Sequence, residues 1–467
     1  MTKNTHTVKP KAVTIMPKAV TRKKTQLPRE TRLQTRKTAS KKIIKFMRNT
    51  EEKRKSHYLN IICADSGECL AVGMEIDRIY QFFNRFINFK YATNPVRSIG
   101  APSENGFIKE IAYSRNGYNS YAILKSSQKP DSDNLMYEYE VGKYFINKQN
   151  KSFSCFLETY GLFMYDNPDA WNSFKDTDVD KSLLDSLWVI PVDYKTGCQK
   201  SQFLAILIQH INKTISFAKF IDNAIAETNR VKKKYQLNFD VFYILYQIYF
   251  ALDVLKNEFT HYDLHTDNVL LYEPAKNGYI TYHYHLNSGA TVEFHSKYIA
   301  KIIDYGRCYY YESDVNNSKN TYDRICADPG CPDCGEDSGF GILAPEEFPG
   351  SFYYISSQVR NKSHDLRLAY TIKDEIEDVV LNDPKSIIDF NWNILQNIVY
   401  ATDYGTPELE NGVSPAIHNV TDMRMALESF ISIAKNKTYN DRYTLGLTKI
   451  GDMHIYEDRR PMEYVRR

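Results

Sequence analysis

No apolar run in this sequence approaches the roughly 20 residues that a membrane-spanning helix needs, and its beginning lacks the apolar core of a secretory signal. The 8 cysteines are not densely or regularly spaced. They do not form a disulfide framework, and a reducing compartment is expected. No internal repeat is visible. No aromatic residue interrupts the basic stretch before Phe46, which argues against a stacking platform for single-stranded nucleic acid. What is present is a chain of 467 residues, 42% hydrophobic and 25% charged, long enough for two or three domain-sized units with a large core. The 36 tyrosines are a coding bias and point to no function by themselves.

The net charge of +3 conceals an asymmetry. Of the 60 Lys and Arg, 18 fall in residues 1–56 against 3 of the 57 acids, so this segment carries +15 and the remainder −12. Pro10, Pro17 and Pro28, many Thr and little apolar periodicity accompany the charge. The composition predicts a basic disordered tail over 1–56, able to meet nucleic acid or an acidic partner through counterion release, or to bind back onto the acidic body. Residues 57–95 are predicted as a helical lead-in, because Ile76, Ile79, Tyr80, Phe83 and Phe86 recur at helical spacing.

Chemistry concentrates further on. His261-Tyr262-Asp263-Leu264-His265-Thr266-Asp267-Asn268, followed by Val269-Leu270-Leu271, puts an acid and an amide five residues apart on a loop leading into a strand. Asp263 can accept the proton of an attacking hydroxyl, and Asn268 can hold a metal ion that bridges nucleotide phosphates. Ile302-Ile303-Asp304-Tyr305-Gly306 is an apolar strand ending in Asp-aromatic-Gly. Asp304 is then a second metal ligand, and Gly306 is the residue expected to take the sharp turn.

These two motifs resemble the catalytic loop (His-Arg-Asp-Leu-x-x-x-Asn) and the Asp-Phe-Gly motif of protein kinases. The wording is similar to that of divergent protein-kinase-like proteins of large cytoplasmic DNA viruses. The resemblance implies an α+β, bilobal fold with a small β-rich N-lobe over 96–208 and a larger helical C-lobe over 209–467. It also implies ATP and Mg²⁺ as cofactors and a protein as substrate. Its setting would be the inside of a host cell, in the cytoplasm or the virion, with no membrane partner.

The remaining kinase-like parts follow in order. Ile99-Gly100 and Gly106-Phe107 stand where a glycine-rich hairpin would cover the phosphates, although the middle glycine is missing and the spacing is one residue long. Tyr121-Ala122-Ile123-Leu124-Lys125 resembles the Val-Ala-Ile-Lys strand, whose lysine pairs the α- and β-phosphates. On the next helical pattern, with Asp133 as N-cap, Glu138 shares a face with Leu135, Val141 and Phe145 and is the expected partner of Lys125, with Glu140 as the alternative. Phe203–Ile211 corresponds to the last N-lobe strand and hinge, where backbone groups at Gln209 to Ile211 would meet the adenine edge. Phe239–Glu258 is an amphipathic core helix by its spacing.

Between the two motifs, Tyr279–Tyr284 and Thr291–Phe294 alternate around Asn287-Ser288-Gly289, which predicts a hairpin inserted over 273–298 and bearing His283, His285 and His295. A metal site there is the less economical reading. Cys308, Cys326, Cys331 and Cys334 offer thiolates for a structural zinc, or remain reduced. Ala344-Pro345-Glu346 spells the tripeptide that ends a kinase activation segment. Ser363-His364-Asp365-Leu366-Arg367 is similar to the acid-bearing helix that braces the kinase catalytic loop.

Two departures matter. Tyr262 replaces the arginine that meets an activation-loop phosphate, and His265 stands where Ser/Thr kinases carry a lysine beside the transferring group. Three readings stay open: a Ser/Thr protein kinase, a small-molecule kinase of the same fold, and a nucleotide-binding pseudokinase.

Overall fold

The computed structural model describes residues 29–100, 106–128, 135–175, 177–191, 193–194, 203–325, 355, 357–383, 385–399, 416–436 and 444–467, with the backbone alone at 29–36 and 39. The chain divides into two compact units, Met1–Arg54 and Lys55–Arg467. The described part of the first, residues 29–54, is helical throughout and lies within helix α1 (Arg29–Cys63). The sequence reading of 1–56 as disordered is therefore corrected from Arg29 onward. The physical reason is composition: all three prolines of the segment precede Arg29, and 29–63 holds neither Pro nor Gly among good helix formers such as Lys, Arg and Glu.

The main elements of the second unit begin with α2 (Ser66–Val72), α3 (Ile76–Phe82), β1 (Arg97–Ser98), β2 (Gly106–Arg115), β3 (Tyr118–Ser127), α4 (Leu135–Glu140), β4 (Thr159–Tyr165), β5 (Leu187–Val189) and β6 (Leu204–Gln209). The strands make one antiparallel sheet of six in the order β1-β2-β3-β6-β4-β5. Side chains alternate across a strand, and β6 divides accordingly. Leu204 and Ile206 enter the core shared with α4, while Ala205 and Leu207 enter the core built on Leu59, Leu70, Ile79 and Phe83 of the helical lead-in. Cover on both faces explains why β6 reads as a continuous apolar run. Cys63 and Cys69 form a disulfide between α1 and α2, a pairing the sequence reading did not single out. Cys155 and Cys308 are free and buried.

The rest comprises β7 (Ile215–Ser216), α5 (Phe217–Ala226), α6 (Val241–Leu255), β8 (Phe259–Thr260), β9 (Val269–Tyr272), β10 (Gly278–His285), β11 (Thr291–Ser296), β12 (Ile299–Ile302), β13 (Tyr309–Tyr310), α7 (Arg367–Asn382), α8 (Val420–Asn436), β14 (Thr448–Tyr456) and β15 (Glu463–Arg466). Helix α6 is buried on every side except at Val254. It is a core helix, as the spacing predicted, but buried all round rather than on one amphipathic face. The hairpin β10–β11 extends into a four-stranded sheet because the C-terminal strand β14 lies parallel to β10 and pairs with β15. Its histidines have local partners: His283 meets Asp452 at 3.0 Å, His285 meets His454 at 3.0 Å, and His295 meets Thr281 at 3.2 Å. Among the described residues no group of three or more His, Cys, Asp or Glu is placed to hold a metal ion, and no helix is long and apolar enough to cross a membrane. Asp133, Cys326, Cys331, Cys334 and Ala344-Pro345-Glu346 lie outside the described residues.

Helix α4 continues as a wider turn, Val141–Ile146, pressed against the start of β4. A Cβ on Gly142 would sit 2.7 Å from the Cβ of Thr159. Gly142→Ala should therefore lower unfolding stability by about 1–3 kcal/mol in a urea titration; an unchanged midpoint would mean that this packing is looser than described.

Candidate active site

Alternation along β3 sends Tyr118, Ala122 and Leu124 into the core with the lead-in helices and leaves Ile123 and Lys125 on the opposite face. There the Lys125 ammonium lies 2.7 Å from Oε2 of Glu138 on α4 and 3.1 Å from Oδ1 of Asp304, just after β12. The Glu138 side chain is 1% exposed, Lys125 14% and Asp304 39%, so the network runs from the core out to an open edge. Burial pushes the Asp304 carboxyl up, but the Lys125 charge and hydrogen bond outweigh it and hold the group below its ordinary value. Asp304 has φ +67°, so the left-handed turn falls on the acid rather than on Gly306. A non-glycine residue in that region stores strain of the kind that accumulates at functional sites. Tyr305 turns inward, donating to the Ile302 carbonyl at 2.6 Å and accepting from the Leu157 N–H at 3.2 Å.

Strand pairing brings the second motif alongside. Antiparallel β9 and β12 end with Val269 opposite Ile302, and the Ile303 N–H donates to the Asn268 carbonyl at 3.0 Å. Buried His261 bonds the Ile303 carbonyl at 2.9 Å through Nε2. The Asn268 side-chain nitrogen donates to the Asp263 carbonyl at 2.9 Å, which leaves its amide oxygen as the atom that can ligate a cation.

The loop is fastened from below by Asp365, which accepts the N–H groups of His261 at 2.8 Å and Tyr262 at 3.0 Å. Tyr262 takes φ +63° and is buried, its hydroxyl donating to the Val359 carbonyl at 2.6 Å. It serves packing at the place where a kinase arginine would face a phosphate. Arg367, the first residue of α7, reaches back to Asp263, its Nη1 2.9 Å from Oδ1. His265 lies farther off, with Nε2 3.8 Å from the same oxygen. Burial lowers the His265 imidazole below its ordinary value; the Asp263 carboxylate opposes this and the Arg367 guanidinium reinforces it. The fixed cation beside Asp263 is accordingly Arg367, whose part was not read from the sequence.

A cleft of about 500 Å³ opens beside Lys125 and Asp304. Ile99, Ile108, Ile123, Leu157, Leu270 and Ile303 supply apolar walls, and Gln209, His210 and Asn212 close one side. His210 Nε2 meets Glu110 Oε2 at 3.1 Å at the rim, and this hydrogen bond holds the Glu110 carboxyl below its ordinary value in spite of burial. The Gln209 N–H is spent on the Glu158 carbonyl at 2.8 Å, while its side-chain nitrogen is buried with no hydrogen-bond partner among the described residues.

Of the residues singled out in the sequence, Ile99, Lys125, Glu138, Gln209 and Asp304 line this cleft. Asp263 and Asn268 do not line it; Asn268 is joined to its wall through the Ile303 N–H and to Asp263 through its own side chain. Phe107 points the other way, into the core with Ile111 and Tyr113, because the cleft face of β2 belongs to Ile108 and Glu110. Ile211 is buried in the main core, and Gly100 and Gly106 do not line the cavity. Residues 101–105 between those glycines lie outside the described residues.

No protein-family model matches the chain, and no curated protein matches it. Among solved structures it is similar to the crystal structure of a kinase domain, at 15% identity and a TM-score of 0.27, over 49% of this chain and 57% of that one. The chain thus spans little more than half the length of that neighbour. A likeness this slight carries no weight, and the functional reading below rests on the geometry.

Burial pushes the Asp365 carboxyl up to about 7, against the pull of its two amide hydrogen bonds. The folded chain then holds a proton that the unfolded chain releases near about 3.9. Stability should fall as pH rises from about 4 to about 7 and level off above. Urea midpoints across that range are expected to drop more steeply for the wild type than for Asp365→Asn, which cannot ionise; parallel curves would exclude Asp365 as the source.

Proposed function

We propose that the chain is a phosphotransferase of bilobal, protein-kinase type that uses ATP and Mg²⁺ and acts on serine and threonine hydroxyls of proteins inside a host cell. The observation that carries this reading is the ammonium of Lys125, held between buried Glu138 and Asp304 beside the loop that bears Asp263 and Asn268. The residues fit a nucleotide. The cleft is apolar where a base would lie, and the Gln209 side-chain nitrogen is an unsatisfied buried donor on its wall. At the other end are a lysine, a carboxylate of depressed pKa and an amide oxygen, a donor set suited to polyphosphate and a hard cation. Bound Mg·ATP would supply the phosphoryl group and the charge neutralisation that its transfer needs.

The chain's own residues divide the remaining work. Glu138 holds Lys125 in place to meet phosphate oxygens, and Asp304 with the Asn268 amide oxygen would hold the cation. Asp263 accepts the proton of the incoming hydroxyl. Arg367 acts as a positioning residue: its Nη1 meets Oδ1 of Asp263 at 2.9 Å and fixes the orientation of the carboxylate. It also brings the positive charge that a lysine supplies in Ser/Thr kinases. Burial holds the His265 imidazole below its ordinary value, so the permanently charged Arg367 is the better candidate for that place. With Tyr262 buried, control through an arginine at that position is not part of the proposal.

Transfer from γ-labelled ATP to a basic protein, and to the chain itself, tests the reading. Asp263→Asn should lower labelling by about 100-fold or more. Arg367→Ala should reduce kcat by roughly tenfold with little change in KM for ATP, and Arg367→Lys should restore part of the loss. Label that persists in Asp263→Asn would defeat the assignment of the base. The stretch Asp263-Leu264-His265 also resembles that of small-molecule kinases and favours the second reading, which would show as turnover of a small hydroxyl compound with protein left unlabelled. Nucleotide binding without transfer to either would indicate a pseudokinase.

A further inference from the structure

Helix α1 carries a surface that the site above does not use. From Lys37 to Asn49 every described side chain is exposed. Apolar residues are among them: Ile43 is 59% exposed, Ile44 50%, Phe46 73% and Met47 65%. Ile43, Phe46, Met47 and Thr50 follow the i, i+3, i+4, i+7 spacing of one helix face, with Ile44 at its border. Lys37, Lys41, Lys45 and Arg48 lie on the opposite face, and Lys42 flanks the apolar stripe. No acid occurs between Lys37 and Arg48.

We infer that this stretch of α1 is an interfacial helix that lies in the plane of an anionic lipid surface, with Ile43, Ile44, Phe46 and Met47 inserted among the headgroups and the cations on the phosphates. Charge complementarity selects the occupant. A neutral partner would leave the five cations of 37–48 without counterions, whereas an anionic surface answers them together. A nucleic acid would satisfy the charges but leave four large apolar side chains in water. A lipid surface satisfies both faces of one short helix, and in-plane binding does not require the length needed to span a bilayer. The inference is independent of the phosphotransferase reading.

The experiment is co-sedimentation of the full chain with phosphatidylcholine vesicles, with and without phosphatidylserine. Pelleting is expected only with the anionic vesicles, weakening as salt rises. The exposed positions allow substitution without disturbing a core, so the double change Ile43→Asp with Phe46→Asp should weaken binding by about tenfold or more, as should Lys41→Glu with Lys45→Glu. Phe46→Trp should show a blue shift of its emission on adding anionic vesicles. Three results would each overturn the inference: no pelleting by anionic vesicles, pelleting untouched by the apolar double change, or tighter binding to a single-stranded RNA that the apolar change leaves intact.

Discussion

A single ammonium group ties the site together. Glu138 is nearly inaccessible to water, and a carboxylate there is tolerable only with a cation against it. Lys125 meets that need from a strand whose neighbours fix its direction, and the same ammonium also reaches Asp304. Sheet, helix α4 and the loop after β12 thus share one charge. The left-handed conformation of Asp304 is held in the same place by that ion pair and by the inward-turned Tyr305 next to it.

The neighbouring loop depends on a different device. Asp365 gathers two backbone N–H groups, so the path of the chain through His261 and Tyr262 is set from the short turn His364–Leu366 just before helix α7 rather than by the loop's own sequence. Helix α7 opens with Arg367, two residues farther on, and with it the charge against Asp263. Anchoring the loop and placing the cation beside its acid therefore fall to one short stretch. The loop's shape and the charge beside Asp263 thus do not depend on the side chains of Tyr262 and His265.

The parts legible in the sequence were those whose partners are set by local geometry. The choice of Glu138 over Glu140 followed from helix spacing with Leu135, Val141 and Phe145, and Lys125 from the resemblance of its strand to Val-Ala-Ile-Lys. Phe107 was misplaced because strand faces alternate, and an error of one residue moves a side chain to the far side of the sheet. Long-range pairings left no local sign. The parallel match of β14 with β10 joins segments that Gly278 and Thr448 begin, and Arg367 meets Asp263 across 104 positions. The alternation of Met453 and Ile455 with Asp452 and His454 could have marked β14 as a strand, though not which strand it would join. For α1, net charge suggested disorder, whereas the absence of Pro and Gly after Pro28 was the better guide.

The most direct measurement is the equilibrium binding of ATP, with and without Mg²⁺, to the wild type, Lys125→Met and Asp304→Asn. A site built around this ammonium and carboxylate should bind ATP more tightly when Mg²⁺ is present, lose most of that affinity in Lys125→Met, and lose the dependence on Mg²⁺ in Asp304→Asn. Binding that is absent from the folded wild type, or unaltered by both substitutions, would contradict the account.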